Sequence, residues 1–180
     1  MEHKEIEIPV RVNSTDFQEF ALFDTMHRQG CWKRPVVFSA ILIVSACICF
    51  ALNNGENQGG LLGWVLLIVG VGLPLTYFLH FFRSVRIQAK KMGLDQKRHV
   101  YTVRLTGEGV NCRPAVEDAE AVVTSWDQVA GAWRQPDAVY LYVQTDRAYI
   151  LPNGQANVSD DELWAALGND LPADRLHEKK

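Results

Sequence analysis

Five histidines, four cysteines and a run of three acids are the residues of this 180-residue chain best suited to chemistry. His3, His27, His80, His99 and His177 are scattered, with neither an HExxH pattern nor the paired spacing of a zinc site. Cys31, Cys47, Cys49 and Cys112 provide no disulfide framework. Cys47 and Cys49, two apart on a helix, point in different directions, so they read as buried, inert thiols. Asp160, Asp161 and Glu162 offer three carboxylates, but acids directly after Ser159 suit a helix start, where Glu162 completes a capping box. Gly107-Glu108-Gly109 is too short to cradle a phosphate and reads as a turn. Trp126, Trp133 and Trp164 either line a ligand cleft or pack between a sheet and a helix. No nucleophile–base pair stands out. The sequence therefore predicts no catalytic site, no cofactor and no metal.

What must be positioned is a membrane element. Residues 35–52 and 61–82 are two apolar runs, spanning roughly 27 and 33 Å as helices. A bilayer core is about 30 Å thick, so each is long enough to cross. Between residues 35 and 82 the only charged residue is Glu56, in the polar connection 53–60. Neither run has the polar face of a soluble core helix. The connection holds no Lys or Arg. Arg28, Lys33 and Arg34 precede the first run, and Arg83, Arg86, Lys90 and Lys91 follow the second. The positive-inside rule then places both flanks, and both termini, in the cytoplasm of an inner membrane. Residues 1–13 have no apolar core of a signal peptide. His80 lies two residues from the end of its run, near Arg83, where it reaches the headgroup region. Gly63 and Gly70, seven apart, share a face that lets a neighbouring helix approach, and Gly72 broadens it. Pro74 is either a hinge or a tolerated kink.

The remainder divides into short elements. Residues 1–34 comprise a strand, with Ile6, Ile8, Val10 and Val12 alternating and Pro9 at an edge, then an amphipathic helix capped by Thr15 and Gln18. Residues 83–98 continue the second helix as a basic segment. Residues 99–170 alternate in short strands, including 119–126 and 127–133, and close on a helix that Gly168 and Pro172 end. Residues 171–180 read as a frayed tail. Residues 99–180 carry thirteen acids and seven bases, a net of −6, which disfavours nucleic acid as a partner.

The fold class is α+β: a two-helix transmembrane hairpin with a PH-like antiparallel β-roll and a C-terminal capping helix. IEIPVRV followed by TDFQEF, the paired apolar runs, YTVRLTGEGV, SWDQV, AYILPNG and DELWAAL occur in an order and spacing that resemble the YcxB-like family of bacterial membrane proteins. That resemblance implies a two-helix hairpin followed by a PH-like domain and no known enzymatic activity. The expected role is a membrane-anchored, non-catalytic module whose partners are the lipid bilayer and a protein or a second copy. The exposed rim of the sheet and the loops 134–137 and 153–158 are the expected contact surface. The second expectation is an accessory or immunity protein that binds a membrane protein or effector through the Gly63/Gly70 face.

Overall fold

The computed structural model describes residues 5–52, 57–116 and 120–178. It divides into two compact units. One joins the first 16 residues to residues 93–180, and the other is Phe17–Met92.

The first unit is built on two four-stranded sheets. Strands β1 (Ile6–Val12), β2 (Arg98–Thr106), β3 (Gly109–Pro114) and β4 (Val122–Ser125) form one sheet in that order, with every pair antiparallel. The second sheet has the order β7-β6-β5-β8, from β5 (Gly131–Arg134), β6 (Ala138–Tyr142), β7 (Ala148–Pro152) and β8 (Leu176–Glu178). Here β8 runs parallel to β5, and the other pairs are antiparallel. The core comes from the alternation in β1, where Ile6, Ile8, Val10 and Val12 are all buried, together with Val103, Val110, Val139, Leu141 and Leu151.

Several boundaries differ from the sequence reading. The strand assigned to a separate segment 1–34 is instead the edge strand of the domain, pairing Ile6 with Leu105 and Val12 with Arg98. The tail 171–180 contains β8, held because Leu176, His177 and Glu178 pair with β5. Residues 126–128 form a 3-10 turn between β4 and β5. The expected strand 119–126 is shorter, and residue 119 lies outside the described residues.

The C-terminal helix α4 (Asp160–Asp170) opens on the expected box. The Ser159 hydroxyl accepts from the Glu162 amide, and the Ser159 amide donates to Glu162 Oε2 at 3.1 Å. Gly168 does not end it. The helix runs to Asp170, where Leu171 turns extended before Pro172.

The expected Thr15–Gln18 cap at the start of α1 (Ser14–Leu22), a helix that begins in the first unit and ends in the second, is replaced by an Asn13–Asp16 pair. Asn13 Oδ1 accepts from the Thr15 and Asp16 amides at 2.8 and 2.9 Å, and the Asn13 amide donates to Asp16. The Asn side-chain oxygen accepts from the first free amides of the helix from a position two residues before Thr15. The chain continues as a π-helical segment, Phe23–Arg28.

Helices α2 (Lys33–Ala51) and α3 (Asn57–Lys91) pack on each other. Both are long and apolar enough to cross a membrane. The expected connection 53–60 is shorter than read, because residues 57–60 already belong to α3; residues 53–56 lie outside the described residues. The basic segment extends α3 as far as Lys91, with Val85 and Ala89 buried on it. Gly93, at φ +68°, turns the chain away before β2.

Small residues set the hairpin contact. Ser39 and Ala46 are the buried residues of α2, seven apart. From α3, Gly70 lies against Ser39, Leu42 and Ile43, and Gly63 against Phe50. A Cβ on Gly63 would sit 2.8 Å from the Phe50 ring, and one on Gly70 would sit 3.2 Å from the Leu42 Cβ. A Cβ on Gly72 would meet nothing within 4 Å, so Gly72 does not extend this surface. Helix α3 passes through Pro74, which has no amide hydrogen for the carbonyl four residues back, on Gly70. The Ser39 hydroxyl donates to that carbonyl instead. Ser45 and Thr76 return their hydroxyls to the Ile41 and Gly72 carbonyls of their own helices, at 2.9 and 2.8 Å.

Candidate functional site

The residues singled out for chemistry separate in the structure. Asp160 accepts from the Gly154 amide at 2.8 Å, Asp161 from Arg134, and Glu162 from Ser159. Each acid of the run thus has its own partner. Among the described residues no three His, Cys, Asp or Glu side chains converge as a metal site would require. The tryptophans also diverge in partner. Trp126 donates to the Thr106 carbonyl at 2.9 Å, and Trp133 stacks on His177 at 4.6 Å. Trp164 lies under the Arg134 guanidinium. Arg134 also reaches Glu178 at 3.3 Å, and Asp161 beside it holds the guanidinium above its ordinary value. Cys47 is exposed on α2 and Cys49 is half-buried, so neither is the fully buried thiol that was expected.

The polar groups of the β-unit close its sheet edges. On the free side of β1, Asn157 Oδ1 accepts from the Glu7 amide at 3.1 Å and the Asn157 amide donates to the Glu7 carbonyl. Gln155 brackets Arg11 in the same way, accepting from its amide at 2.7 Å and donating to its carbonyl at 2.8 Å. By alternation, Pro9 presents its missing donor on this same side, where no ladder bond is lost. Loop 153–158 is therefore a strand substitute. Its first residue, Asn153, also ties down loop 134–137, donating to the Asp137 and Pro136 carbonyls at 3.0 and 2.8 Å.

On the free side of β7 the Tyr101 hydroxyl plays the same part. It accepts from the Ile150 amide at 2.9 Å and donates to the Ile150 carbonyl at 3.2 Å. Burial pushes Tyr101 well above its ordinary range, the Ile150 contact notwithstanding. Burial also raises Tyr149 to about 12, and raises the Cys112 thiol that Tyr149 hydrogen-bonds. A phenol raised in the fold destabilises the folded state as pH climbs past the ordinary value near 10, because the unfolded chain releases its proton first. These groups are accordingly expected to leave stability unchanged at neutral pH and to lower it progressively once the pH passes the ordinary thiol and then phenol values, near 9 and 10. A pH series of urea midpoints, followed by tyrosinate absorbance, checks this. Tyr101→Phe is expected to lower stability below pH 10, by the roughly 1–3 kcal/mol of two unpaired backbone groups, and to flatten the fall above it, because no phenol is left there to ionise.

The β4 edge is treated differently. Among the described residues nothing pairs with its outer side, and Val122 and Val123 are exposed there, 43% and 62%, near an exposed Val116. Glu120 before β4 in the chain, Asp127 after it, and Glu108 in the turn before β3 are exposed as well. The expected contact surface included the exposed rim of the sheet as well as loops 134–137 and 153–158; the polar groups of those loops are engaged internally, and the sequence reading did not single out β4 within the rim. The alternation of the strand and these three acids were the signal available.

On the hairpin, the expected Gly63/Gly70 face is occupied by α2 of the same chain, which removes the motive for reading it as a partner site. Arg28 is bound to Asp24 at 2.8 Å, its neighbour one turn away, so its charge is neutralised. Lys33, Arg34, Arg83, Arg86, Lys90 and Lys91 are exposed. Two open grooves lie on this unit. One is lined by Lys33, Arg34, Val37, Phe38 and Ile41. The other follows one stripe of α3 and includes Tyr77, His80 and Ser84.

Fold and surface together define an α+β chain with antiparallel sheets and two helices long and apolar enough to cross a membrane. Comparison with protein-family models, with curated proteins and with solved structures finds no match.

Proposed function

We propose that this chain is a membrane-anchored, non-catalytic module that holds a PH-like β-roll at the cytoplasmic face of an inner membrane and offers a protein-recognition surface there, as the YcxB-like resemblance implies. One observation carries the reading. Val12 pairs with Arg98, so the two ends of the hairpin insertion are neighbours in one sheet. A hairpin whose ends meet in one folded unit must cross the bilayer an even number of times, and two apolar helices supply two crossings. Lys33 and Arg34 on one side of the pair, and Arg83 to Lys91 on the other, favour the cytoplasm for those ends. The outward residues of the pair suit lipid: Val37, Ile41, Val44, Leu61 and Ile68 are all exposed. Their hydroxyl-bearing neighbours Ser45 and Thr76 are satisfied within their own helices.

The recognition surface is best supported at β4. Two edges of the roll are sealed by Gln155, Asn157 and Tyr101, whereas among the described residues no strand pairs with the outer side of β4, where Val122 and Val123 are exposed. An extended segment adds to such an edge through main-chain hydrogen bonds. The exposed acids Glu108, Glu120 and Asp127 select a segment carrying Lys or Arg. The test uses the full chain in mild detergent. A stoichiometric partner is expected with the wild type and with Gln144→Lys, and is expected to be lost with Val123→Lys, because a cationic edge blocks strand addition. Recovery of no stoichiometric partner, or one indifferent to Val123→Lys, sinks the proposal.

A further inference from the structure

We propose that the groove at the start of α2 is a binding site for an anionic phospholipid, with the phosphate held by Lys33 and Arg34 and an acyl chain lying along Val37, Phe38 and Ile41. The inference rests on the hairpin crossing a membrane and goes beyond it by assigning one lipid class to one place.

Charge selects the headgroup. Elsewhere in the described chain several cations are matched to acids: Arg28 to Asp24, Arg104 to Glu5 and Glu7, and Arg134 to Asp161 and Glu178. Lys33 and Arg34 have no such partner among the described residues, and the first turn of α2 contains no acid. Two adjacent cations thus share one uncompensated position. Apolarity selects the rest of the ligand. Immediately below the cations, Val37, Phe38 and Ile41 line the same groove, each more than half exposed. A free phosphate has no use for that floor, and a neutral lipid has no use for those cations.

Trp32 immediately precedes the two cations in the chain. Its indole N–H donates to the Met26 carbonyl at 3.0 Å, while the ring stays partly exposed. Indoles of this kind settle at the headgroup level. The α3 groove lacks the same logic, since Leu73, Thr76, Tyr77, His80, Phe81 and Ser84 line it without a Lys or Arg. Arg83 and Arg86 are exposed on α3 and are not among the residues lining that groove.

The full chain, placed in phosphatidylcholine nanodiscs with and without a minor fraction of phosphatidylglycerol, is released into the gas phase and its retained lipids are counted by native mass spectrometry. Each cation near the surface is worth about fivefold, so the pair is expected to favour phosphatidylglycerol on the order of thirtyfold. Lys33→Gln with Arg34→Gln is expected to abolish that preference, and Arg83→Gln with Arg86→Gln to keep most of it. Equal loss in both pairs, or displacement of the lipid by soluble glycerol phosphate, overturns the site. The membrane reading is scored separately, by whether the wild-type chain stays with its vesicles in alkaline carbonate and whether exposed Cys31 reacts with an impermeant maleimide only from the cytoplasmic side.

Discussion

Replacing residues 14–92 by a short Gly/Ser turn is expected to leave a folded, water-soluble β-domain, while residues 93–180 alone are expected to unfold. The first half follows from the register. Val12 and Arg98 are opposite each other in an antiparallel pair, so with Asn13 and residues 93–97 retained a few Gly/Ser residues are enough to join the two strands. Retaining residues 93–97 keeps Leu94, which is 2% exposed, with the rest of the unit. The second half follows from burial. Removing β1 removes Ile6, Ile8, Val10 and Val12, each at most 4% exposed. At about 1.5–3 kcal/mol per side chain the loss is roughly 6–12 kcal/mol. A whole domain has only about 5–15 kcal/mol in hand. Val103 and Leu105 on β2 would face water, and the side-chain amides of Gln155 and Asn157 would lose the backbone they bracket. Amide NMR dispersion and a urea titration of both polypeptides check this. Matching midpoints with and without β1 would show that the strand is dispensable and that the hairpin is not an insertion within one domain.

Local features of this fold were legible in the sequence, and non-local ones were not. The two apolar runs, the alternation of β1 and the Ser159–Glu162 box each declare themselves within a few residues, and each reappears in the structure. The pairing of β1 with β2 spans more than eighty residues of intervening chain, and no local pattern encodes it. Strand β8 escaped because three residues, Leu176 to Glu178, give too short a period to separate from a tail, and its parallel partner β5 lies far back along the chain. The cap moved from Thr15 to Asn13 because two overlapping signatures competed, and only the backbone geometry decides between them. The Asp24–Arg28 pair was legible, since the two are one helical turn apart, yet a count of bases near a membrane treats every base alike. Gln155 and Asn157 read as loop polarity. Their role lies in completing a ladder for a strand about 150 residues earlier, which composition cannot express.

Gly70→Leu is expected to separate α2 from α3, and Gly72→Leu, two positions on, is expected to leave them together. A Cβ at residue 70 would meet the Leu42 Cβ and the Ile43 Cγ1 at 3.2 Å, and the Ser39 carbonyl at 3.4 Å. The nearest atoms belong to the base of neighbouring side chains and to backbone, which cannot rotate away. A longer side chain therefore forces the helices apart, at about 1–3 kcal/mol of overpacking. Separation also breaks the bond from Ser39 to the Gly70 carbonyl, the group Pro74 leaves without a helical donor. Within a bilayer such a bond is worth about 0.6–1.7 kcal/mol. The gain in helix propensity on replacing glycine returns only about 1 kcal/mol. At residue 72 the same gain is expected without the penalty, since that Cβ meets nothing within 4 Å. Spin labels at exposed Val44 and Val65, in a background with the native cysteines replaced, report the separation directly. Ser39→Ala alone is expected to broaden the distance distribution, and adding Pro74→Ala is expected to narrow it again, because an alanine amide restores the helix's own donor to the Gly70 carbonyl. If Gly70→Leu and Gly72→Leu give the same distribution, the contact between α2 and α3 does not run through the Ser39–Gly70 seam.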